Sequence, residues 1–325
     1  MKVGRIVVAR HGGPEVLEWA EGEVGDPGPG EVRVRHTAVG VNYIDVYFRT
    51  GAYPGACPFV PGMEGAGIVE AVGAGVTELR EGDRVAYGAA PMGAYAEART
   101  LPADRLVKIP EGVDDETAAA AMLKGMTAEY LVRRTVAVRP GDTVLVHAAA
   151  GGVGLLLCQW AKHLGATVIG TVGSEEKARL AAENGCDHPV RYDREPFADQ
   201  VRAITSGRGV RVVYDSVGKD TFDGSLGCLA PRGTLALFGQ SSGKVPPLDP
   251  QILNWKGSVF LTRPSLGHHV ATARDLRESA EALFAVIRSG AVRVTIGQRF
   301  PLREAARAHA ALEARRTVGS TVLVP

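Results

Sequence analysis

The stretch that decides the fold is Thr143–Gly154, TVLVHAAAGGVG. A run of apolar residues with high strand preference leads into a turn of small residues, and Leu155–Leu164 follows with an apolar face at helical spacing. The turn reads A-x-x-G-x-x-G, from Ala148 through Gly151 to Gly154. A strand, a glycine turn and a helix in this order are typical of the first βα unit of a dinucleotide-binding fold.

Each position of this turn needs a small residue for its own reason. The first permits a tight turn, the second lets the backbone approach a diphosphate, and the third permits close packing of helix on strand. The helix then begins with unpaired N–H groups and a partial positive charge, which favour an anion. The alternative is a tight βα turn in an unrelated α/β fold. The predicted diphosphate contacts are Ala148, Gly151, Gly152, Val153 and Gly154.

The next strand, Thr167–Val172, ends at Gly173, where a fold that binds NAD needs an acidic residue for the ribose 2′-hydroxyl. The missing carboxylate removes repulsion against a 2′-phosphate. Ser174 can cap the following helix or hydrogen-bond that phosphate, and Lys177 can add a charge-assisted bond of about 1.5–3 kcal/mol. This pattern favours NADP(H).

Two neighbouring carboxylates, Glu175 and Glu176, are the counterargument, because either could replace the missing acid. Acidic residues in a first helical turn are equally explained by the helix dipole. We therefore predict NADPH as the cofactor.

Residues 126–260 continue the pattern around this unit. Apolar strand runs alternate with helical patterns, and this alternation produces βαβ crossovers and a parallel sheet. We predict an α/β fold with a doubly wound parallel sheet here. The predicted strands are Thr143–His147, Thr167–Val172, Val210–Asp215 and Thr234–Phe238, and the predicted helices are Gly152–Leu164, Ser174–Asn184 and Phe197–Thr205.

Residues 1–125 have a different pattern, in which short β-like runs are separated by Gly/Pro turns such as Asp26–Gly30. This favours a loop-rich β domain. The tail contains two helical stretches, Asp275–Ser289 and Leu302–Ala314, and a final strand, Ser320–Val324. We expect the tail to return to the first domain.

The length of 325 residues exceeds what one core supports, so two domains are expected. We predict a first domain of residues 1–125 with 261–325 and a second of residues 126–260, closely packed with a cleft between them. A net charge of +1 without a basic cluster gives no source of attraction to nucleic acid. No apolar run reaches membrane-spanning length, and four scattered cysteines fit a reducing compartment. A cytoplasmic location is expected.

Motifs along nearly the whole chain resemble the quinone oxidoreductase branch, related to ζ-crystallin, of the medium-chain dehydrogenase/reductase superfamily. The resemblance implies a GroES-like β-rich catalytic domain, a Rossmann domain that binds NADPH, and a homodimer. The motifs are HGGPEVL at the start, GVNYIDVYFRTGAYP at 40–54, PFVPGMEGAGIVEAVG at 58–73, GDRV at 82–85, LKGMTAEYL at 123–131, HAAAGGVG at 147–154, YDSVG at 214–218, TRPSL at 262–266 and GSTVLVP at the end.

Zinc alcohol dehydrogenases, which are similar in fold, hold a catalytic zinc with a Cys near the first of these motifs and a His-Glu pair in the second. Here the corresponding places read Asn42 and Met63-Glu64, and the four-cysteine lobe of a structural zinc is missing. We predict no metal. Without a Lewis acid, simple alcohol oxidation is disfavoured, whereas quinones and conjugated enones remain feasible acceptors.

The polar loop after residue 41 then becomes the predicted catalytic lining, by resemblance and by crowding. Asn42 can donate to the acceptor or to the cofactor's ribose, and Tyr47 and Tyr53 can stack on a flat ring or donate a proton. Asp45 can equally serve only as a helix cap, and Tyr43 only as core. The predicted catalytic residues are Asn42, Asp45, Tyr47 and Tyr53.

The resemblance implies further cofactor contacts. Arg263 and Phe238 are expected along the diphosphate or the carboxamide, and Tyr192 near the 2′-phosphate. Many family members have Asn where Gln240 stands. An apolar run at an expected sheet edge, Gly257–Leu261, is predicted to pair with a second subunit. The added contacts are Thr127, Tyr192, Phe238, Gln240, Arg263 and Arg315.

Three functions remain open from the sequence. The first is NADPH-dependent reduction of a quinone, by hydride or electron transfer, without zinc. The second is an NADPH-dependent enone or 2-alkenal reductase, which differs only in the acceptor. The third is an NADPH-binding structural or RNA-binding protein, which the near-zero charge disfavours. The expected partners are a small-molecule acceptor and a second copy of the chain, and neither a nucleic acid nor a membrane.

Overall fold

A computed structural model describes all 325 residues of the chain. The residues form two compact units. Unit 1 consists of Met1–Met126, His269–Arg288 and Val294–Pro325, and unit 2 consists of Thr127–His268 and Ser289–Arg293. The domain ranges inferred from the sequence stay a prediction, because compactness alone does not define a domain.

Fifteen strands and ten α-helices, with short 3-10 and π segments between them, make up the two units. The strands are β1 Lys2–Val8, β2 Leu17–Glu23, β3 Glu31–Val41, β4 Glu64–Val72, β5 Arg84–Gly88, β6 Ala98–Pro102, β7 Val107–Lys108, β8 Thr143–Val146, β9 Thr167–Val172, β10 His188–Arg191, β11 Val210–Asp215, β12 Leu229–Leu237, β13 Phe260–Thr262, β14 Ile296–Pro301 and β15 Ser320–Val324. The α-helices are α1 Tyr43–Arg49, α2 Asp115–Tyr130, α3 Gly152–His163, α4 Glu175–Glu183, α5 Phe197–Ile204, α6 Phe222–Cys228, α7 Gln251–Trp255, α8 Leu266–His269, α9 Ala273–Arg288 and α10 Ala305–Glu313. None of these helices has the length and apolar character needed to cross a bilayer.

Unit 1 is built on a seven-stranded sheet with the path β14-β15-β3-β4-β5-β7, and β6 pairs with β3. The long strand β3 alternates buried and more exposed residues along its first half, which is the pattern of a strand with one face on a core. Strand β15 completes the sheet by pairing with β3 through Thr321–Leu323. Val32, Val34 and Leu323 lie in the buried core on this sheet. The last strand of the chain therefore lies in the same sheet as β3, which is near the start of the chain.

Unit 2 contains a six-stranded sheet in the order β10-β9-β8-β11-β12-β13. All its pairings are parallel. This is the doubly wound 3-2-1-4-5-6 order, in which the order of the strands along the chain reverses beside the first strand. Here that strand is β8, which leads into the glycine turn. The predicted α/β fold class is confirmed, with a β-rich unit 1 and a doubly wound parallel sheet in unit 2.

Strands β9, β11 and β15 have the bounds predicted from the sequence. Strand β12 was predicted from residue 234 but begins at Leu229. A register shift on its partner β11, between Val210 and Val212, allows this early start. The sequence did not predict the first half of this strand, because residues Pro231 to Gly233 are typical of a loop, and a bulge and a loop have similar composition.

Candidate active site

The predicted catalytic loop of unit 1 leads into helix α1, and Asn42 is the residue that caps this helix. The Asp45 carboxylate accepts the backbone N–H of Asn42 at 2.9 Å (Oδ2 to N). Asp45 is fully buried. The structure thus gives Asp45 the capping role that the sequence left as the alternative, and its predicted catalytic role stays a prediction.

The Asn42 side chain belongs to a buried network around Glu64. Asn42 Nδ2 and Lys124 Nζ both donate to Glu64 Oε2 at 2.8 Å, and the backbone N–H of Leu123 donates to Oε1 at 2.7 Å. A Cβ on Gly40 would lie 2.2 Å from Glu64 Oε2. The glycine therefore makes room for the carboxylate between strand and helix. The network fixes the amide of Asn42 with its oxygen on the side away from Glu64.

The Glu64–Lys124 ion pair is almost without solvent, since Glu64 is 0% exposed and Lys124 is 5% exposed. Burial of two charges is costly, and the cost is offset only where further hydrogen bonds satisfy both groups. Three donors on the Glu64 carboxylate meet this condition for the acid. An ammonium at 2.8 Å also repels a metal cation from the same carboxylate.

A second chain of hydrogen bonds ends on Asp45. Arg49 can only donate, so the Nδ1 atom of His309, 3.1 Å from Arg49 Nη1, is the acceptor. The proton of the neutral imidazole is then on Nε2, which donates to the Tyr95 hydroxyl at 2.9 Å. Tyr95 in turn donates to Asp45 Oδ2 at 3.0 Å. The bonds therefore run in one direction, from a guanidinium to a carboxyl group.

Burial controls the protonation of this chain. Desolvation lowers the pKa of His309 to about 3, with the positive charge of Arg49 as a further cause, so the imidazole is neutral. Desolvation raises the pKa of Asp45 to about 7, against the hydrogen bonds from Asn42 and Tyr95. Asp45 Oδ1 is buried without a hydrogen-bond partner. The proton of the acid form is accordingly on Oδ1, because Oδ2 already accepts two donors.

The tyrosines of the loop form a small aromatic cluster. The ring centroids of Tyr43 and Tyr47 are 5.4 Å apart, and those of Tyr47 and Tyr53 are 4.9 Å apart. Phe48 meets Tyr53 edge to face at 5.7 Å. Tyr47 is buried, whereas Tyr43 and Tyr53 are half-buried. The predicted pair Tyr47 and Tyr53 is therefore in contact, with Tyr53 the more accessible ring.

In unit 2, the glycine turn between β8 and α3 has the geometry that the pattern requires. Gly151 is the N-cap of α3. A Cβ on Gly154 would lie 2.2 Å from the Ala148 carbonyl oxygen, so only glycine fits the close packing of helix and turn. Ala148 has φ +51°, a left-handed conformation that is unfavourable for alanine. The open N–H groups at the start of α3 form a ready anion site.

The residues predicted to surround a 2′-phosphate come together at the end of β9. A Cβ on Gly173 would lie 2.5 Å from the Tyr192 hydroxyl oxygen, and Ser174 Oγ accepts the backbone N–H of Lys177 at 3.2 Å. Ser174 therefore caps α4, one of its two predicted roles. Tyr192 is 45% exposed, so its ring stands open to a ligand.

Of the two glutamates that could have acted as the ribose acid, Glu175 has a different role. Glu175 accepts a bond of 2.9 Å from Arg191 Nη1 and lies 3.5 Å from Arg194 Nη2. Arg191 also binds Asp193. An ion-paired Glu175 is a poorer acceptor for a ribose hydroxyl, which favours the 2′-phosphate interpretation.

A buried network supports the turn from below. His147 Nδ1 lies 2.9 Å from Thr171 Oγ1, and its Nε2 lies 2.9 Å from Ser225 Oγ. Ser225 donates to Asp215 Oδ2 at 2.8 Å, and the N–H of Ala148 donates to Thr171 Oγ1 at 3.3 Å. Desolvation lowers the pKa of His147. The ends of β8, β9 and β11 are thereby tied together beneath the turn.

The remaining predicted contacts are distributed over the two units. Phe238 directly follows β12, and its N–H donates to the Asp215 carbonyl oxygen at 2.8 Å. Gln240 and Arg263 follow β12 and β13 at the same carboxyl edge of the sheet. Thr127 is buried in α2. Arg315, in unit 1, has φ +57° just after α10.

Comparison with known proteins gives the family. The alcohol dehydrogenase GroES-like domain matches residues 28–111, and the zinc-binding dehydrogenase domain matches residues 152–285. A quinone oxidoreductase of Pseudomonas aeruginosa is 53% identical over 99% of both chains. The chain belongs to the quinone oxidoreductase family of the medium-chain dehydrogenases/reductases.

Other members of this family extend the comparison. The crystal structure of Escherichia coli quinone oxidoreductase complexed with NADPH has a TM-score of 0.97, is 46% identical, and is matched over 99% of this chain and all of the other. A mycobacterial protein complexed with NADPH is 52% identical with a TM-score of 0.96. A 2-haloacrylate reductase of a Burkholderia species is 48% identical over 98% of each chain. The predictions of an oxidoreductase and of NADPH as the cofactor of this family are confirmed.

Two observations test whether this family member fits NADPH. The α3 N-terminus is free of side chains from Gly151 to Gly154, apart from Val153, as a diphosphate requires. Gly173 keeps the end of β9 clear beside the Tyr192 hydroxyl. The residues present therefore fit the cofactor. No group of three His, Cys, Asp or Glu side chains is arranged to hold a metal ion.

Sequence reasoning missed four residues of the unit 1 site. Glu64 was considered only as the residue at the place of a missing zinc site, Lys124 only as part of a family motif, and Tyr95 and His309 were not singled out. Charged residues within apolar segments, GMEGAG and AMLKGM, were the available signal, because an isolated buried charge needs a partner. The Tyr95–His309 contact joins residues 214 positions apart and leaves no local pattern.

Proposed function

We propose that this protein catalyses NADPH-dependent reduction of a quinone without zinc. The observation that carries the proposal is the Glu64–Lys124 ion pair, in which an ammonium bonds the carboxylate that would otherwise be open to a metal. Without a Lewis acid, the favoured acceptor is one whose reduced oxygen is already a stabilised anion, and a quinone meets this requirement. Relatives that are 46–53% identical over nearly their full length are named quinone oxidoreductases, which supports the proposal.

The cofactor is proposed to bind along the carboxyl edge of the unit 2 sheet. The turn N–H groups would hold the diphosphate, and Lys177, Ser174 and Tyr192 would surround the 2′-phosphate. When bound, NADPH supplies the two electrons and one hydrogen that the acceptor takes up. The full set of proposed contacts is Thr127, Ala148, Gly151, Gly152, Val153, Gly154, Gly173, Ser174, Lys177, Tyr192, Phe238, Gln240, Arg263 and Arg315.

The acceptor is proposed to bind against the loop of unit 1. Tyr53 and Tyr47 would stack on its flat ring, since both are aromatic and Tyr53 is accessible. The Glu64–Lys124 pair holds Asn42 through one N–H of its amide, and the second N–H would serve the ribose or the acceptor. Asp45 keeps the loop in place through the Asn42 backbone. The second proton of the hydroquinone would come from water, so that positioning accounts for most of the rate increase.

A second candidate is reduction of a conjugated carbon–carbon double bond. The 48% identical 2-haloacrylate reductase supports this alternative, because its named substrate is such a compound. The same loop could bind either acceptor. The choice therefore depends on substrate tests.

We also propose that the protein works as a cytoplasmic homodimer, with β13 as the contact. This strand is at the edge of the unit 2 sheet, and Phe260 on it is 60% exposed. Nearby Trp255 is 75% exposed. An open apolar edge invites pairing with a second copy. Phe260→Glu should convert a dimer to a monomer in sedimentation analysis, and an unchanged mass would reject this edge as the interface.

The test of function compares cofactors and acceptors on the purified protein. Binding of NADPH and NADH is titrated first. NADPH oxidation is then followed with a quinone or a 2-alkenal, and NADP⁺ reduction is followed with a simple alcohol, in separate reactions. We expect selective NADPH binding and quinone turnover. Turnover of the alkenal alone would establish the alternative, and alcohol oxidation that depends on added zinc would contradict both.

A further inference from the structure

A cavity of about 540 Å³ lies within unit 2, away from the proposed cofactor contacts. Thr143, Thr167 and His188, the first residues of β8, β9 and β10, line it. In a parallel sheet the strands all begin at one edge and end at the other, so this cavity is at the amino edge. The glycine turn follows a carboxyl end. No part of the proposed function uses this cavity.

Three arginines line the cavity against one carboxylate, that of Asp142. Arg211 uses its Nε atom for an ion pair with Asp142 Oδ2 at 3.1 Å. Arg208 uses its Nε atom to donate to the Thr205 carbonyl oxygen at 3.2 Å. The side chain of Arg232 makes no hydrogen bond in the structure. The terminal guanidinium nitrogens of all three arginines therefore remain as donors for a ligand.

The backbone around Arg232 is unusual for a strand. Arg232 has φ +61°, which is unfavourable for any residue except glycine, and its N–H donates to the Gly257 carbonyl oxygen at 2.8 Å. A Cβ on Gly233 would lie 2.9–3.1 Å from three carbonyl oxygens, so the bulge of β12 is tightly packed on β11. Bulges re-aim side chains, and strained residues gather at functional sites.

Local electrostatics favour an anion in this cavity. Helix α5 ends at Ile204, and the negative end of its dipole lies at this edge. The Arg208 Nε bond to Thr205 offsets part of that charge. Three guanidinium groups against one carboxylate still leave an excess of two positive charges.

We propose that this cavity binds a small soluble anion that carries a diphosphate group. Guanidinium terminal nitrogens bind phosphate oxygens in pairs, and an excess of two charges matches a diphosphate better than a single carboxylate. The volume is within the range of small-ligand sites, and the threonine hydroxyls at the strand starts suit a polar ligand. The site would serve a ligand other than the cofactor.

Calorimetric titration of the NADPH-saturated protein with inorganic pyrophosphate tests the proposal. Saturation blocks the cofactor's own diphosphate site. We expect one equivalent of pyrophosphate to bind, and Arg208→Gln and Arg232→Gln each to raise the Kd about tenfold or more. Arg274→Gln is the matched control, because Arg274 is an exposed arginine of unit 1, and its Kd should equal that of the wild type.

Arg232→Gly separates the charge from the strained backbone. Glycine accepts the positive φ, so this variant should unfold at a higher temperature and yet bind pyrophosphate about tenfold more weakly. Three results would overturn the proposal: no heat of binding to the saturated protein, a heat that vanishes as the NADPH concentration is raised, or equal weakening in Arg274→Gln.

Discussion

The candidate site residues of unit 1 and those of unit 2 are arranged in opposite ways. In unit 1, the site consists of side chains that satisfy one another in the interior: Asn42, Glu64 and Lys124, with Asp45 at the end of a second chain of bonds. In unit 2, it consists of backbone that side chains leave clear, at Gly154 and Gly173. The unit 1 residues need hydrogen-bond partners, whereas the unit 2 residues need space that is free of side chains. Substitutions should therefore fail for different reasons in the two units.

The largest effect should come from removing one partner of the buried ion pair. Lys124→Met leaves the Glu64 carboxylate buried without its charge partner, which costs about 3–5 kcal/mol of unfolding free energy. Denaturant unfolding measures it. Lys108→Met is the matched control, since Lys108 also lies 2.8 Å from an acid, Asp83, but is 53% exposed. The control should lose less than about 1 kcal/mol.

Glu64→Gln added to Lys124→Met removes both charges, and it should recover much of the lost stability. A double variant as unstable as Lys124→Met alone would mean that packing, rather than charge, makes unit 1 sensitive at this place.

Protonation of Asp45 should give the next largest effect. Its pKa rises from an ordinary 3.8 to about 7 on folding, so folding takes up a proton between these values. The stability that this uptake contributes is full below about pH 4 and is lost as the pH rises through 7. Asp45→Asn has no such loss. The unfolding free energy of Asp45→Asn, relative to that of the wild type, should therefore rise by about 2–3 kcal/mol between pH 5 and pH 8.

The comparison of the two proteins, rather than the wild-type curve alone, is the useful measurement. His36 and His309 have pKa values lowered to about 4 and about 3, and they raise stability as the pH rises to about 6.5. Both histidines are present in the wild type and in Asp45→Asn, so their effect largely cancels. A difference that does not change with pH would show that Asp45 is ionised throughout.

A smaller effect is expected where unit 2 needs empty space. Gly154→Ala puts a Cβ against the Ala148 carbonyl oxygen and should weaken NADPH binding about tenfold, at a cost of about 1–3 kcal/mol in stability. Fluorescence titration and thermal unfolding measure the two quantities. Gly25→Ala is the control, because no atom lies within 4 Å of its added Cβ. Equal behaviour of the two variants would contradict the close packing of the turn.

The smallest effect should be a change of cofactor preference. Gly173→Asp restores a carboxylate at the end of β9 and should shift the ratio of NADPH to NADH affinity about tenfold towards NADH, through repulsion of the 2′-phosphate. Gly173→Ala adds the same Cβ near the Tyr192 hydroxyl without the charge. If the alanine variant shifts the ratio as much, space rather than charge sets the preference.

The same contrast explains what the sequence could predict. The glycine turn and the end of β9 are local: Ala148, Gly151 and Gly154 lie within seven residues, and each is explained by the backbone around it. Strand β9 was predicted to the residue, because hydrophobic runs bounded by turns are a local signal.

The unit 1 network could not be predicted in this way. Glu64 meets Lys124 sixty positions along the chain, and Arg49 meets Glu313 over 264 positions. No spacing rule links such residues, because the fold alone brings them together. The bulge at Arg232 was missed for a related reason, since its conformation depends on the packing of β12 against β11.

Strand β15 has one further consequence, for the order in which the molecule is made. Its residues Thr321–Leu323 pair with β3, nearly three hundred positions earlier in the chain, while the whole sheet of unit 2 lies between them in sequence. During synthesis from the N-terminus, unit 2 can fold as soon as its last strand emerges. Unit 1 must wait, with residues Val39–Val41 of β3 unpaired on that side, until residues 320–324 arrive. Closing the sheet of unit 1 is thus the late step, at which exposed strand edges are most prone to aggregate.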